Sequence, residues 1–183
     1  MNTLIINGSP RKNGDTAFLL TELRNHLSGE VKLIDTYSTS ISPCTDCRYC
    51  WENENCAIND KMSDVLNDID KADNIIIASP IYFSELTGSL LSFASRLQYL
   101  WVSKNIRDIQ VLQKKPRNGF VILVGGGDGK IDKALSTAKC LLAHMGAAFT
   151  DYVVSHNTNS IPARNDDNVI RSIQEIAEKM NRK

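Results

Sequence analysis

The sequence predicts a three-layer α/β sandwich, in which a five-stranded parallel sheet lies between two layers of helices. Five short apolar runs alternate along the chain with segments of helical periodicity. Two of these runs, NIIIAS and GFVILV, are apolar without alternation, which is typical of strands buried on both faces. Because helices separate the strands, the strands are expected to pair in parallel. A chain of 183 residues is long enough for one substantial core, so we expect a single domain over residues 1–183.

The predicted elements follow from these two periodicities. The strands are expected at residues 4–7, 31–35, 74–79, 119–124 and 148–154. Apolar residues at helical spacing predict helices near residues 20–27, 62–69, 90–97, 134–142 and 169–180. The stretch 101–118 has no clear period, which leaves either a loop or a short extra helix.

Charge and composition exclude several classes of partner. The 21 basic residues are balanced by 21 acidic ones, so no overall positive field is available for nucleic acid or an anionic membrane. The sequence contains neither a secretory signal nor an apolar run long enough to span a membrane. We therefore expect a cytoplasmic protein, in which clustered cysteines bind metal or do redox chemistry more often than they form disulfides.

The segment NGSPRKNGDT follows the first predicted strand and is rich in groups that bind phosphate. Ligands of open α/β sheets bind at the carboxyl ends of strands, where the next helix offers unpaired N–H groups. Neither a P-loop nor the G-x-G-x-x-G fingerprint can be placed here, which argues against ATP and a Rossmann-bound dinucleotide. An ordinary turn with Asp15 or Thr16 as the helix N-cap is the alternative. The candidate phosphate ligands are Ser9, Arg11, Asn13, Gly14 and Thr16.

Two further loops follow the third and fourth strands. The first places Pro80, Ile81, Tyr82 and Phe83 at a strand end, where a flat apolar ligand would fit. The second places Gly125, Gly126 and Gly127 in a row, which would let a planar ligand approach the backbone. Each loop alone could be aromatic side chains that cap a core or a simple glycine turn. Their joint position favours one shared ligand.

Together, NGSPRKNGDT, SPIYFSE and VGGGDG resemble the flavodoxin-like NADPH-dependent FMN reductase family over nearly the whole chain. The resemblance implies the strand order 2-1-3-4-5 and a homodimer in which the partner completes the flavin pocket. It implies FMN as cofactor, with the isoalloxazine ring against Pro80, Ile81, Tyr82 and Phe83, and with Gly125, Gly126 and Gly127 closing the other side. For the phosphate it implies Ser9, Arg11, Asn13, Gly14, Asp15 and Thr16.

Hydride transfer to a flavin needs no base or nucleophile from the protein, and the sequence offers none. His26, His144 and His156 are scattered, with no acidic partner that spacing identifies, so we expect surface or structural roles. We accordingly predict no catalytic side chain.

Four of the five cysteines follow the spacing C-x2-C-x2-C-x5-C, at Cys44, Cys47, Cys50 and Cys56. The first three resemble a bacterial ferredoxin run that binds a cubane cluster. The spacing also resembles that of the iron-sulfur flavoproteins, a branch of the same group, which implies a four-iron four-sulfur cluster on these cysteines. A metal-free thiol loop, a zinc site and a redox-active disulfide stay open as alternatives. Cys140 lies in an apolar helical pattern, and we expect it to be buried.

The expected function is that of a cytoplasmic, homodimeric FMN-dependent oxidoreductase. It would take hydride from NADH or NADPH and pass electrons to a quinone, a free flavin, a nitro compound or a redox protein. The alternative is an electron carrier or redox sensor that binds FMN, with or without an iron-sulfur cluster, and has no nicotinamide turnover.

Overall fold

A computed structural model describes residues 1–182 and contains one five-stranded sheet with helices on both faces. The strand order is β2-β1-β3-β4-β5, and every neighbouring pair is parallel. The predicted sandwich and its strand order are therefore confirmed. The strands are β1 (Asn2–Asn7), β2 (Glu30–Asp35), β3 (Asn74–Pro80), β4 (Asn118–Val124) and β5 (Ala148–Ser155).

The helices fall where the periodicity predicts them, with two additions. A four-residue helix lies among the clustered cysteines, and part of the unassigned stretch 101–118 belongs to a short helix. No helix among residues 1–182 has the length and apolar character that crossing a bilayer would need. The helices are α1 (Asp15–His26), α2 (Tyr49–Glu52), α3 (Met62–Lys71), α4 (Gly88–Ala94), α5 (Gln98–Asn105), α6 (Asp132–His144) and α7 (Asp167–Asn181), with 3-10 turns at Ser95–Leu97 and Ala163–Asn165.

Two apolar cores lie on opposite faces of the sheet. The central strand β3 divides its side chains between them, with Ile75 and Ile77 on one face and Ile76 on the other. The first core packs helices α3, α4, α5 and α6 against the sheet, and the second packs α1 and α7. Full burial of each isoleucine contributes about 2 kcal/mol, so the strand is held from both sides.

The β1–α1 loop is fixed where it leaves the sheet. The Gly8 N–H donates to the Ala78 carbonyl (2.8 Å), and the Thr87 hydroxyl donates to the Gly8 carbonyl (2.8 Å). The same hydroxyl accepts from the Leu90 N–H as the N-cap of α4. A Cβ at Gly8 would lie 3.0 Å from both Thr87 and Leu90, so this glycine lets the loop pack against α4.

Candidate functional site

A cavity of about 260 Å³ lies at the carboxyl edge of the sheet. The strands β1, β3, β4 and β5 are parallel neighbours, so their carboxyl ends lie side by side at this cavity. The three loops singled out in the sequence meet at this cavity, together with a fourth loop after β5. The lining residues are Ser9, Pro10, Arg11, Gly14, Asp15, Thr16, Pro80, Ile81, Tyr82, Val124, Gly126, Thr158 and Asn159.

The β1–α1 loop is shaped by its own hydrogen bonds. The Asn7 side-chain oxygen accepts from the Ser9 N–H (3.0 Å), and the Ser9 hydroxyl oxygen accepts from the Arg11 N–H (3.4 Å). Ser9 is buried, whereas Arg11 is exposed and forms no ion pair within residues 1–182. Asn13 is exposed and does not line the cavity.

The amino end of α1 opens on the cavity without a side-chain cap. Gly14 is the N-cap residue, and the first bond of the helix runs from the Phe18 N–H to the Gly14 carbonyl (2.9 Å). The N–H groups of Asp15, Thr16 and Ala17 precede that bond and have no intrahelical acceptor. The positive end of the helix dipole and these donors together form a site suited to an anion.

The Asp15 carboxylate has a structural partner. It accepts a hydrogen bond from the Ala163 N–H (2.8 Å) and so ties the start of α1 to the segment that precedes α7. An ionised carboxylate can only accept hydrogen bonds, so its charge would repel a phosphate. Any contribution of Asp15 to anion binding therefore falls to its backbone N–H, and its role as a ligand stays a prediction.

The β3–α4 loop contains a tight two-residue turn. Tyr82 and Glu85 exchange two backbone hydrogen bonds of 2.9 and 3.0 Å around Phe83 and Ser84. Both central residues have positive φ, 53° and 63°, as in type I′ turns, where glycine or asparagine is usual. Pro80, Ile81 and Tyr82 line the cavity, whereas Phe83 projects into solvent and is fully exposed.

The glycine loop packs against the loop that follows β5. The Asn159 and Thr158 N–H groups donate to the Gly126 and Gly125 carbonyls (both 3.1 Å). A Cβ at Gly126 would lie 2.8 to 3.1 Å from the Asn159 amide group, so this glycine makes room for Asn159. Of the three glycines, Gly126 lines the cavity and Gly125 and Gly127 do not.

Thr158 and Asn159 line the cavity and were not singled out in the sequence. A signal existed, since the predicted strand order places β5 beside β4, and the polar run HNTNS follows β5 at the same edge. His156 begins this run. All three histidines are exposed, as expected.

The four clustered cysteines lie in a segment between β2 and α3, which we call the cysteine segment (residues 42–60). Their side chains line one narrow cavity of about 20 Å³, which has room for roughly one water molecule. Burial raises the pKa of the Cys50 thiol, and the neighbouring Cys56, Cys44 and Cys47 raise it further. Among residues 1–182, no three His, Cys, Asp or Glu side chains are arranged to hold a metal ion. The four thiols share one cavity, but in this arrangement they do not form a set of metal ligands.

The expectation for Cys140 was wrong. This thiol is exposed, because it lies on the outer side of α6, while Ala134, Ala138 and Leu142 turn toward the core. It lies outside the cysteine cavity.

Comparison with known proteins connects this architecture to a family. The sequence matches the model of a family described as NADPH-dependent FMN reductase over residues 1–159. The chain belongs to this family. An iron-sulfur flavoprotein of Methanocaldococcus jannaschii is 31% identical over 111 residues, which are 59% of this chain and 58% of that protein. An iron-sulfur flavoprotein of Archaeoglobus fulgidus is 25% identical over 183 residues, covering 98% of this chain and 79% of that protein. The match thus covers less than two thirds of the M. jannaschii relative.

Solved structures of oxidoreductases share the fold of this FMN reductase family member. An FMN-dependent NADH-azoreductase of Bacillus anthracis, solved in complex with FMN, superposes with a TM-score of 0.68 at 16% identity and full coverage of both chains. This likeness confirms the predicted flavodoxin-like fold. The family match confirms the resemblance seen in the three loops, and the enzyme class of the family is the predicted one, an oxidoreductase. The individual ligand contacts stay predictions.

Proposed function

We propose that this FMN reductase family member binds FMN at the carboxyl edge of the sheet and takes hydride from NADH or NADPH. Electrons then pass to a small-molecule acceptor, such as a quinone, free flavin or nitro compound, or to a redox protein. The observation that carries this proposal is the uncapped amino end of α1, which opens on a cavity shared by four strand-end loops.

The residues at the amino end of α1 suit the phosphate of FMN. Three backbone N–H groups precede the first helical bond, and the hydroxyls of Ser9 and Thr16 lie beside them at the cavity. Arg11 adds a guanidinium that no carboxylate within residues 1–182 neutralises. These groups would hold a dianion without a metal ion, and they would fix the position of the rest of the cofactor in the cavity.

The apolar end of the cavity suits a flat ring system. Pro80, Ile81 and Tyr82 form this side, and Tyr82 is 44% exposed, so a ring could contact it directly. Bound FMN supplies the redox chemistry, accepting hydride and releasing electrons. Asp15 is the one carboxylate among the lining residues, and it is bonded to Ala163, so the chain contributes orientation and no general base.

A homodimer is part of the proposal. The cavity is smaller than the roughly 300 to 1,000 Å³ of most ligand pockets, so a single chain encloses a mononucleotide incompletely. Phe83 is a fully exposed aromatic side chain, and it directly follows Tyr82, which lines the cavity. A second copy of the chain would cover both. Sedimentation of the FMN-loaded protein should show a dimer, and a monomer at every concentration would contradict this part.

We further propose that Cys44, Cys47, Cys50 and Cys56 bind a four-iron four-sulfur cluster, which would exchange single electrons with the flavin. Support comes from the spacing, from the shared cavity and from the names of the relatives. The thiols would have to rearrange to bind the cluster, because no three of them are placed to hold a metal ion in the described residues. Anaerobically prepared protein should contain about four irons per chain, and Cys47→Ser should lose them. Cys140→Ser is the matched control and should keep its iron.

The second candidate function is an electron carrier or redox sensor without nicotinamide turnover, and the converging cysteines favour it. One experiment separates the two functions. Anaerobic addition of NADPH or NADH to the FMN-loaded protein should bleach the flavin absorbance near ~450 nm within seconds if the protein is a reductase. Bleaching by dithionite or a partner protein alone would favour the carrier. No saturable FMN uptake at all would overturn both.

A further inference from the structure

The cysteine segment has little regular structure of its own. Its only helix is the four-residue α2, and the remainder makes neither helical nor sheet hydrogen bonds. A segment of this kind keeps one shape only if other parts of the chain hold it. The residues that hold it come from one stretch, the 3-10 turn Ser95–Leu97, the helix α5 and the first residues after α5.

Arg96 makes the contacts that join the two ends of the segment. Its Nη1 donates to the Ser42 carbonyl (3.0 Å) and to the Asp60 carboxylate (2.7 Å), and its Nη2 donates to the Ile58 carbonyl (3.3 Å). The Asp60 carboxylate also accepts from the Ser42 N–H (3.0 Å). One guanidinium and one carboxylate thus connect residue 42 with residues 58 and 60.

The guanidinium is almost completely buried. Arg96 is 3% exposed, and each of its contacts with the segment involves a carbonyl or a carboxylate. A buried charge that loses its partners is strongly destabilising, so these contacts are expected to persist. A lysine could keep the charge near Asp60, but it lacks the planar fork that reaches two carbonyls at once.

The middle of the segment is held by neighbours of Arg96. The Ser95 hydroxyl accepts from the Cys44 N–H (2.9 Å), and the Tyr99 hydroxyl donates to the Glu54 carbonyl. The Arg107 guanidinium donates to the Asn53 carbonyl. Arg96 itself lines the cavity that the four cysteines share. The same residue therefore closes the segment and forms one wall of the space in which the thiols meet.

We propose that Arg96 is the positioning residue of the cysteine segment, which sets where the four thiols lie by closing the segment through Asp60. In this role Arg96 holds the backbone that carries the four thiols, and it does not contact substrate. The role does not depend on which metal, if any, the thiols bind.

Local opening of the segment tests this role. Arg96→Gln should speed amide hydrogen exchange in residues 42–60 at least about tenfold, because charge-assisted hydrogen bonds that close the segment are lost. Trypsin offers a second readout, since Arg48 is an exposed cleavage site inside the segment. Cleavage after Arg48 should accelerate by a similar factor. Arg96→Lys should fall between the wild type and Arg96→Gln.

Arg117 provides a matched control. It is also 3% exposed, donates to the Ile69 and Gln113 carbonyls and pairs with the Asp70 carboxylate at 3.0 Å. It lies just before β4, at the opposite edge of the sheet from the strand-end loops, and does not line the cysteine cavity. Arg117→Gln should destabilise the protein comparably but leave exchange in residues 42–60 and cleavage after Arg48 unchanged.

Asp60→Asn keeps the role testable if Arg96→Gln does not fold. It removes the charge that faces Arg96 and should open the segment in the same direction, by a smaller factor. Equal effects of the Arg96 and Arg117 variants on the segment would overturn the proposal. So would unchanged exchange and cleavage in both Arg96→Gln and Asp60→Asn.

A third readout rests on the proposed cluster. After anaerobic reconstitution with Fe²⁺ and sulfide, Arg96→Gln should bind less than half of the iron that Arg117→Gln binds. A wild-type protein that binds no iron would contradict the cluster, and exchange and proteolysis would then decide the role of Arg96. Full iron loading of Arg96→Gln at the wild-type rate would overturn the role itself.

Discussion

The strand-end cavity and the cysteine segment are held in place by different means. At the cavity, the loops after β3 and β4 leave the sheet through backbone bonds: the Ile81 N–H donates to the Val124 carbonyl, and the Gly125 N–H donates to the Ser155 carbonyl (both 2.8 Å). Parallel strands fix the positions from which each loop leaves. The cysteine segment lacks such a frame, and it is fixed by side chains that reach in from elsewhere, above all by Arg96.

This difference has a consequence for mutation. Backbone bonds survive most substitutions, so changes around the cavity should alter what binds there while the loops keep their places. In the cysteine segment, the shape itself depends on a few side chains. Substitutions there should change local order first and ligand binding as a result.

The largest effect is expected at the cavity. The double replacement Arg11→Ala with Thr16→Ala should weaken FMN binding at least about hundredfold, because each removes a donor to a doubly charged phosphate. Titration of apoprotein with FMN, followed by quenching of flavin fluorescence, measures the change. The fold should persist, since the double variant keeps the backbone bonds of the loop and α1 and the bonds of the Asn7, Ser9 and Thr87 side chains.

Thr21→Ala is a control on the same helix. Its hydroxyl donates to the Ala17 carbonyl (2.9 Å) and lies outside the cavity, so FMN affinity should not change. Unaltered affinity in the double variant would remove the phosphate site from the proposed function. A double variant that fails to fold would contradict the view that the retained bonds are enough to fix this region.

A smaller, pH-dependent effect is expected at the cysteine segment. Burial alone would raise the pKa of Asp60, but the hydrogen bond from Arg96 and the N–H groups of Met62 and Ser42 outweigh it and lower that pKa. A lowered pKa in the folded state adds stability above the unfolded pKa of about 3.9, and this stability is lost as pH falls through the folded value. Asp60→Asn should therefore cost about 1–3 kcal/mol at neutral pH, and the difference from wild type should shrink in acid. Urea unfolding at several pH values measures it.

Asp73 supplies the comparison for that experiment. Its pKa is also lowered, first by the N–H of Asn2 and then by Lys115, but it lies outside the cysteine segment. Asp73→Asn should lose stability with the same pH dependence and leave cleavage after Arg48 unchanged. If both variants opened the cysteine segment alike, the opening would depend on global stability and not on the local contact between Arg96 and Asp60.

Much of the cavity could be predicted from the sequence, because strand ends of a parallel sheet meet at one edge. Three loops were identified from their donors, aromatics and glycines, and they do meet there. Two details of these loops differ from the prediction, and each has a local cause. Phe83 points to solvent because the tight turn reverses the chain, and Gly126 is small because Asn159 packs against it. Neither the turn nor that contact has a signature in SPIYFSE or GGGDG.

The cysteine segment was far less predictable. Spacing identified the four thiols as a group, but it did not identify what holds them, because Arg96 lies 36 residues beyond Asp60 in the chain. In the sequence, Arg96 is one charged residue in a helical pattern. Its burial and its contacts arise only when α4 and α5 pack beside the segment. Side-chain contacts over such distances have no periodicity to detect.

The smallest effect is expected at the turn of Phe83 and Ser84. Both residues adopt positive φ without being glycine or asparagine, which costs roughly 1 kcal/mol or more at each position. Phe83→Asn with Ser84→Gly should therefore stabilise the protein by about 1 kcal/mol and raise Tm by about 2–4 °C. Differential scanning calorimetry measures the change.

Asp108→Gly is the control that shows whether a gain in stability comes simply from removing a strained backbone conformation. Asp108 also has positive φ, 53°, and lies outside the cavity, so this variant should gain stability with FMN binding unaltered.

Because Phe83 does not line the cavity of one chain, the turn variant should keep its FMN affinity within about twofold as a monomer. A clear loss of affinity that appears only at concentrations where the protein dimerises would instead place Phe83 over the flavin of a second copy. A loss of stability would mean that the exposed ring contributes more than its strained backbone costs.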